Sequence, residues 1–136
     1  PMEWVEDPDD FNQHVTEARW KAQTYRLAKR FPDLRLPNKT MGIADLYDVS
    51  DDWIPIYDRS DLPGFYMAIG TSGNQFKNAA PVAHMLATLM EACEGGHDHD
   101  REPVKVNGRY TGLELDLSFY SRRRAVNRDS SFSVLG

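Results

Sequence analysis

Apolar residues recur every three or four positions near the start of the chain, at Phe11, Val15, Ala18, Ala22, Tyr25 and Ala28. This spacing predicts an amphipathic N-terminal helix with one buried stripe. We expect Asp9 or Asp10 to be its N-cap and Pro32 to stop it just after Phe31. The acidic residues before the cap include Pro8 and predict an extended lead-in.

The middle of the chain predicts strands. Residues 40–49 and residues 53–57 are each rich in apolar and aromatic side chains, and an acidic turn separates them. Pro55 places the second of these strands at an edge or in irregular pairing. Residues 65–69 (Phe-Tyr-Met-Ala-Ile) form a continuous apolar run between two glycines, which predicts a strand that is buried on both faces.

A glycine-rich loop at residues 70–77 leads to a second predicted helix. The helix begins near Asn78, because Pro81 is tolerated only in a first turn, and it ends at Gly95-Gly96. Its apolar residues nearly surround it, so we expect it to be largely buried. Residues 104–106 predict a short strand after a polar loop.

These elements predict an α+β fold. It comprises a mixed, mostly antiparallel sheet, an amphipathic N-terminal helix and a buried helix after the glycine-rich loop. The chain has 136 residues, 40% of them apolar and 27% charged, which suits one domain. The net charge of −5 and the lack of a basic stripe argue against a nucleic-acid-binding function. The basic cluster Arg122–Arg124 is expected to be a solvated or salt-bridged surface.

Cysteine usage and hydropathy bear on the compartment. Cys93 is the one cysteine, which leaves no internal disulfide and fits a reducing compartment. No apolar run approaches the ~20 residues of a membrane span, and residues 1–4 lack a signal-peptide pattern. We therefore expect a cytoplasmic protein without a membrane span.

The strand, glycine loop and second helix form the first candidate site. Gly70 and Gly73 allow backbone amides to approach a ligand closely, and the helix N-terminus adds partial positive charge. Lys77 supplies a full charge at the same place. This pattern suits an anion or an electron-rich ring, but it also fits an ordinary strand-to-helix connection. Neither Gly-x-Gly-x-x-Gly nor a phosphate-binding Gly-Lys-Ser/Thr motif occurs.

Other groups of residues are weaker candidates for a functional site. The run His97-Asp98-His99-Asp100 contains metal-ligating residue types, but ligands at i and i+2 without distant partners make a poor closed site. We favour a solvated loop and assign no metal. The chain has no Gly-x-Ser-x-Gly motif, which argues against a hydrolase. Cys93 falls on the buried face of the second helix and is expected in the core.

The order of several segments carries a family resemblance. “LYDVSDDWIPI”, then “LPGFYMAIGTSGNQFKNAAPVAHMLATLM”, then “LDLSFYSRRR” resembles the C-terminal part of the D-amino-acid oxidase and sarcosine oxidase (glycine oxidase-like) family of FAD-dependent oxidoreductases. The resemblance implies that residues 1–136 are one C-terminal fragment of a two-domain flavoenzyme fold. About residues 10–64 would come from the substrate-domain side, and about residues 65–136 would return to the FAD-binding side.

The resemblance also implies site residues. The family turn Gly-Phe-Ser-Gly-His-Gly-Phe-Lys lies along the flavin ring in relatives, and it matches the implied cofactor-binding residues Gly70, Thr71, Ser72, Gly73, Asn74, Gln75, Phe76 and Lys77. Lys77 also matches a lysine that binds the substrate carboxylate, and Tyr47 matches an aromatic position near the substrate. Asp45 stands where some members carry a flavin-attaching cysteine, so the FAD would be non-covalent through this segment.

The implied activity is oxidation of a C–N bond in a small amine or amino acid, with hydride transfer to FAD; no catalytic residue is assigned. An N-terminal FAD-binding domain, in the same or a separate chain, would be needed. We therefore expect the isolated chain to be inactive, flavin-free and homodimeric through the surface that this domain would cover. The alternatives are a non-catalytic binding or interaction module, or one half of a split flavoenzyme that needs a partner chain.

Overall fold

A computed structural model describes residues 3–133, which divide into two compact units; the first ends at Leu46 and the second begins at Tyr47. The elements are α1 (Glu17–Arg30), β1 (Ile56–Arg59), β2 (Tyr66–Ile69), α2 (Ala79–Glu94), β3 (Lys105–Asn107) and β4 (Glu114–Asp116). Short 3₁₀ turns cover Gln75–Asn78 and Leu117–Tyr120. The α+β class is confirmed. No helix within the described range is long and apolar enough to cross a membrane.

The first unit is built around α1, which begins later than its sequence pattern predicts. Thr16 is the N-cap, because its Oγ1 accepts a hydrogen bond from the Arg19 amide at 3.4 Å. The predicted start near Phe11, with Asp9 or Asp10 as the cap, is therefore wrong. The predicted end is confirmed, since Phe31 is the C-cap. The predicted buried stripe is also wrong, because no residue of α1 is buried.

The predicted strand at residues 40–49 does not form. In the described residues this segment makes one isolated antiparallel bridge, between Ile43 and His14. Ile43 is exposed, so no apolar face holds the segment in a sheet. The later part of the segment is hydrogen-bonded to the glycine loop, because the Asp48 carbonyl accepts a hydrogen bond from the Ser72 amide at 2.9 Å.

The second unit opens with an antiparallel hairpin of β1 and β2, in which Tyr57 lies opposite Ala68. The predicted strand at residues 53–57 was placed too early. Trp53 has a φ of 62°, in the left-handed region, and Pro55 has no N–H for a ladder, so pairing starts at Ile56. The chain reverses between the strands at Gly64, whose φ is 74°.

The second strand is confirmed, but its predicted burial is wrong. Residues 66 and 67 are half-buried, whereas Ala68 and Ile69 are exposed. The reason is that β2 pairs with β1 alone, in a two-stranded sheet. The second sheet, β3 with β4, is also two-stranded and antiparallel, with Val106 opposite Leu115. The structure thus has two small antiparallel sheets where the sequence predicted one mixed sheet.

Helix α2 begins and ends where the sequence predicts. Pro81 lies in its first turn, and Gly95 is its C-cap. The expectation of a largely buried helix is wrong, because Met85 and Leu89 are the buried residues of this helix. Leu89 is 0% exposed and joins a core whose buried apolar residues are Tyr57, Met85, Leu89, Val104, Val106 and Leu117. Cys93 packs against this core, as predicted.

The segment after β4 is held to the hairpin by a buried aspartate. Asp58 is 0% exposed, and its Oδ2 accepts hydrogen bonds from Ser121 Oγ at 3.1 Å and from the Arg122 amide at 2.8 Å. The Arg122 guanidinium also lies 3.2 Å from this oxygen and 2.7 Å from Asp100. Arg59 completes the cluster with an ion pair of 2.6 Å to Asp100.

A second ion pair fixes the same segment at another point. Asp52 is buried and accepts hydrogen bonds from Arg124 Nη2 at 2.7 Å and from the Asn127 amide at 3.1 Å. Arg124 also donates to the Ile54 carbonyl at 2.7 Å. The arginine cluster is therefore salt-bridged, as expected. The expected surface position is wrong for Arg122 and Arg124, whose side chains are only 13% exposed, whereas Arg123 is mostly exposed.

Substitution of Asp52 by asparagine tests this second ion pair. Burial alone would raise the pKa of Asp52, but the hydrogen bonds from Arg124, Asn127 and Ile54 outweigh it and lower the pKa to about 2. The folded pKa thus lies below the unfolded value of ~3.9, so the stabilisation is complete above that value and is lost as pH falls through about 2. We expect Asp52→Asn to cost about 3 kcal/mol at neutral pH and to flatten the acid dependence.

Urea unfolding at pH 7, and at steps from pH 5 to pH 2, measures both effects. The control is Asp51→Asn, at the exposed neighbouring carboxylate, which should change the free energy of unfolding by less than about 0.5 kcal/mol. An acid dependence in Asp52→Asn as steep as in the unchanged protein would contradict the assignment.

Candidate functional site

The loop between β2 and α2 makes a tight, strained turn. Gly70, Ser72 and Gly73 have φ values of 64°, 53° and 74°, in the left-handed region that glycine adopts without steric cost. Ser72 has a Cβ and is therefore sterically strained in this conformation. It is fully buried, and its Oγ donates to the Gly70 carbonyl at 3.1 Å. Non-glycine residues in this conformation persist where the surroundings hold them, often at functional sites.

An internal carboxylate holds the loop. The Thr71 amide donates to Asp48 Oδ2 at 3.2 Å, and the Thr71 hydroxyl donates to Asp48 Oδ1 at 2.6 Å. Burial alone would raise the pKa of Asp48, but these bonds lower it below the usual value. The amides of Thr71 and Ser72 are therefore already bound by Asp48 and are not available to a ligand. The Gly73 amide has no acceptor among residues 3–133.

A cleft of about 350 Å³ opens beside the loop, lined by Tyr57, Ala68, Thr71, Gly73, Gln75, Phe76, Ala79 and Val82. Most of these residues are apolar. The loop side of the cleft adjoins the 3₁₀ turn that leads into α2. The cleft is thus a mostly apolar space next to a helix N-terminus.

The polar part of the cleft is a small hydrogen-bond network around Gln75. The Tyr57 hydroxyl donates to Gln75 Oε1 at 3.0 Å, and Asn78 Nδ2 donates to the same oxygen at 2.8 Å. The Gln75 amide nitrogen donates to Asn74 Oδ1. Burial first, and then the nearby Tyr120 and Asp48, raise the pKa of Tyr57 to about 12. Tyr57 is therefore a neutral hydrogen-bond donor at physiological pH.

Tyr47, which the resemblance implies to lie near the substrate, contacts the glycine loop. A Cβ on Gly73 would come within 2.5 Å of the Tyr47 ring, so the ring rests on the bare backbone of this glycine. Tyr47 is nevertheless 51% exposed. A role of Tyr47 in substrate binding stays a prediction.

The loop residues implied to bind the cofactor occupy different positions. Four of them line the cleft, namely Thr71, Gly73, Gln75 and Phe76. Gly70 and Ser72 are buried in the turn. Asn74 supports Gln75. Lys77 is exposed in the 3₁₀ turn and does not line the cleft. Within residues 3–133 it forms no ion pair.

Sequence patterns missed two residues of this site. Asp48 could be recognised as the loop anchor only by knowing that it meets Thr71, 23 residues away. Tyr57 falls at the end of the strand predicted at residues 53–57, and the structure places its ring in the core and its hydroxyl in the cleft. No local motif marks either residue.

The His97–Asp100 run is structural in this fold. His99 is buried and accepts the Val104 amide at Nδ1, and Asp100 binds Arg59 and Arg122. His97 Nε2 lies 2.7 Å from the Glu102 carbonyl. Within the described part of the chain, no three His, Cys, Asp or Glu side chains are arranged to hold a metal ion. The expectation of a solvated loop is wrong for His99 and Asp100.

No protein-family model matches the chain, and no curated protein or solved structure matches it significantly. The function of the site therefore has to follow from its own geometry and chemistry.

Alanine substitution tests the contact between Gly73 and Tyr47. Gly73 and Gly64 share a φ of 74°, so alanine imposes the same backbone strain at both, but only at Gly73 does the new Cβ meet a side chain. We expect Gly73→Ala to lower the free energy of unfolding by about 1 kcal/mol more than Gly64→Ala, because the ring must move away. Urea unfolding and the ring resonances of Tyr47 report the two effects. Equal losses with an unmoved ring would contradict the contact.

Proposed function

We propose that this chain is the C-terminal portion of an FAD-dependent oxidoreductase that oxidises an amine or amino-acid C–N bond, and that Gly70–Lys77 forms a wall beside the flavin ring. The observation that carries the proposal is the cleft beside this loop, at the N-terminal end of α2. Its lining combines apolar side chains with a strained backbone turn, which suits a flat aromatic ring.

The residues present fit the ring better than they fit a phosphate. Ala68, Ala79 and Val82 provide apolar contact, and the Phe76 ring is 96% exposed and free to cover a ligand. The bound flavin would supply hydride-accepting chemistry. The Gly73 amide and the partial positive charge of the α2 N-terminus would favour negative charge on the ring.

Substrate binding is assigned to the two exposed residues at the edges of the loop. Lys77 is a cation without an ion pair in the described residues, so it is available to a substrate carboxylate. Tyr47 rests on Gly73 and is half exposed as a residue, so it would shape the substrate side. Asp48 has no such role, because its carboxylate is bound to Thr71.

One observation favours the alternative of a non-catalytic binding module or a split half-enzyme. Two loop amides are bound by Asp48, and the Gln75 side chain takes up part of the space beside the loop. A chain without bound flavin can therefore keep its turn in place. The adenosine and pyrophosphate of FAD would still need the N-terminal FAD-binding domain, because Gly-x-Gly-x-x-Gly is missing from this sequence.

Flavin retention tests the proposal. We expect the 136-residue chain to retain no flavin absorbance after desalting with FAD, since it offers only the ring wall. The longest reading frame that contains these residues, or this chain combined with a separate FAD-binding chain, should retain FAD. Anaerobic addition of amines and amino acids should then bleach the flavin.

Two variants assign the substrate role. In the flavin-containing protein, Lys77→Met should weaken binding of carboxylate-bearing substrates at least tenfold while retaining FAD, because one charge-assisted bond is lost. Lys105→Met removes an exposed lysine of β3 and is the control. If neither the longest reading frame nor the combined chains retain FAD, the proposed function is contradicted. If the 136-residue chain retains flavin, the need for a second domain is contradicted.

Self-association is the expected state of the chain without its FAD-binding partner. Phe65, Ile69 and Phe76 expose apolar side chains on and beside β2, and such surfaces mark interfaces. Solution scattering over a concentration series should give twice the mass of one chain. Phe76→Ser should shift the equilibrium towards monomer, whereas Tyr110→Ser, at an exposed ring between β3 and β4, should not. A monomer at high concentration would contradict the dimer.

A further inference from the structure

A buried histidine closes the loop between α2 and β3. His99 is 2% exposed, and its Nδ1 lies 3.0 Å from the Val104 amide nitrogen. An amide N–H is only a donor, so Nδ1 must be unprotonated and the neutral ring carries its proton on Nε2. That Nε2–H faces Asp58 Oδ1 at 3.5 Å, too long for a hydrogen bond.

We propose that His99 is a pH-sensitive latch: the neutral ring holds residues 97–104 closed, and protonation at Nδ1 opens this segment. The proton would replace an N–H···N hydrogen bond with two donors that face each other. The loop would then lose its contact at Val104, the first residue before β3. This proposal does not depend on the proposed function.

The groups that face His99 decide how readily it takes a proton, and they come from every element around it: Asp58 and Arg59 of β1, His97 and Asp100 of the same loop, Asp116 of β4, and Arg122 beyond β4. Asp58 and Asp100 attract a proton, whereas Arg59 and His97 repel it. Arg122 already neutralises the two nearest carboxylates.

The balance favours the neutral ring. Asp58 accepts four hydrogen bonds, from the Arg59 amide and from Ser121 and Arg122, so little of its charge is left for an imidazolium. Burial has the largest effect on His99 and outweighs the attraction of Asp58 and Asp100, so the pKa of His99 lies below its usual value. The open loop therefore takes up the proton at a higher pH than the closed loop does.

The pH dependence of loop closure follows from the lower pKa of His99 in the closed state. Above pH ~6.5, His99 is neutral in both states and the closed loop has its full stability. As pH falls from that value towards the lower pKa of the closed state, the open loop is protonated first and the closed loop loses stability relative to it. One proton changes the closing equilibrium by at most tenfold per pH unit.

Opening also weakens the cluster around Arg122. Asp100 follows His99 directly and binds both Arg59 and Arg122. His97 is not equivalent, although it lies in the same loop. Its Nε2 faces a carbonyl oxygen of Glu102 and carries a proton in both charge states, so protonation leaves that bond intact.

Hydrogen exchange at the Val104 amide tests the latch on the full 136-residue chain. Protection factors, which correct for the intrinsic pH dependence of exchange, are measured for the Val104 amide between pH 8 and pH 5. We expect Val104 protection to fall by up to tenfold per pH unit below pH ~6.5. Because the opening is local, Val104 should also stay less protected than Leu89 in the core helix at each pH. Val104 protection that does not change with pH, or that equals the protection of Leu89, would overturn a local latch.

Two variants and one spectroscopic measurement complete the test. His99→Asn places an oxygen acceptor near Nδ1 that does not titrate, so Val104 protection should become independent of pH. His84→Asn, at an exposed histidine of α2, should behave like the unchanged protein. Nitrogen chemical shifts of His99 at pH 8 should show an unprotonated Nδ1. A protonated Nδ1 at that pH, or Val104 protection in His99→Asn that still falls below pH ~6.5, would overturn the proposal.

Discussion

The fold of the second unit depends on the pairing of Arg122 with buried carboxylates. Its guanidinium lies between Asp58, which is fully buried, and Asp100, which is nearly so. Removing one partner of a buried ion pair typically costs about 3–5 kcal/mol, because it leaves the other charge without compensation. Here one cation serves two such anions. The hairpin, the α2–β3 loop and the segment after β4 therefore share one electrostatic centre.

The glycine loop follows the same design on a smaller scale. Asp48 is an anion supplied by the chain itself, and it binds the amide and hydroxyl of Thr71 where an external anion would otherwise be expected. What remains open is the mostly apolar cleft between the loop and Tyr57. A site of this kind favours the face of a ring over a phosphate, which is why the proposed function concerns the ring of the flavin.

Local signals predicted the elements whose limits are set by single residues. Pro81 and Gly95 fix the ends of α2, and a continuous apolar run marks β2. Burial was not predictable in this way, since an apolar pattern does not state how many neighbours an element has; β2 has only one strand partner. The strand expected at residues 40–49 did not form, since Ile43 is exposed and Asp48 binds the distant glycine loop.

The candidate site was predictable to a similar extent. Glycine spacing identified the loop, but the contact between Tyr47 and Gly73 came only from the structure. The roles of Asp48, Tyr57 and His99 arise from partners that are distant or buried, so no spacing in the sequence encodes them. The arginine cluster shows the same limit, because its charge was visible in the sequence and its buried partners were not.

The separation of the ion-pair partners along the chain has a consequence for biosynthesis. Arg122 lies 64 residues after Asp58, and Arg124 lies 72 residues after Asp52. During translation, both aspartates leave the ribosome long before their arginines exist, and an unpaired carboxylate stays hydrated. Burial of these carboxylates by the hairpin is therefore unfavourable until the arginines are present. Contacts of such long range also slow folding, so this unit completes its core as one of the last events of its synthesis.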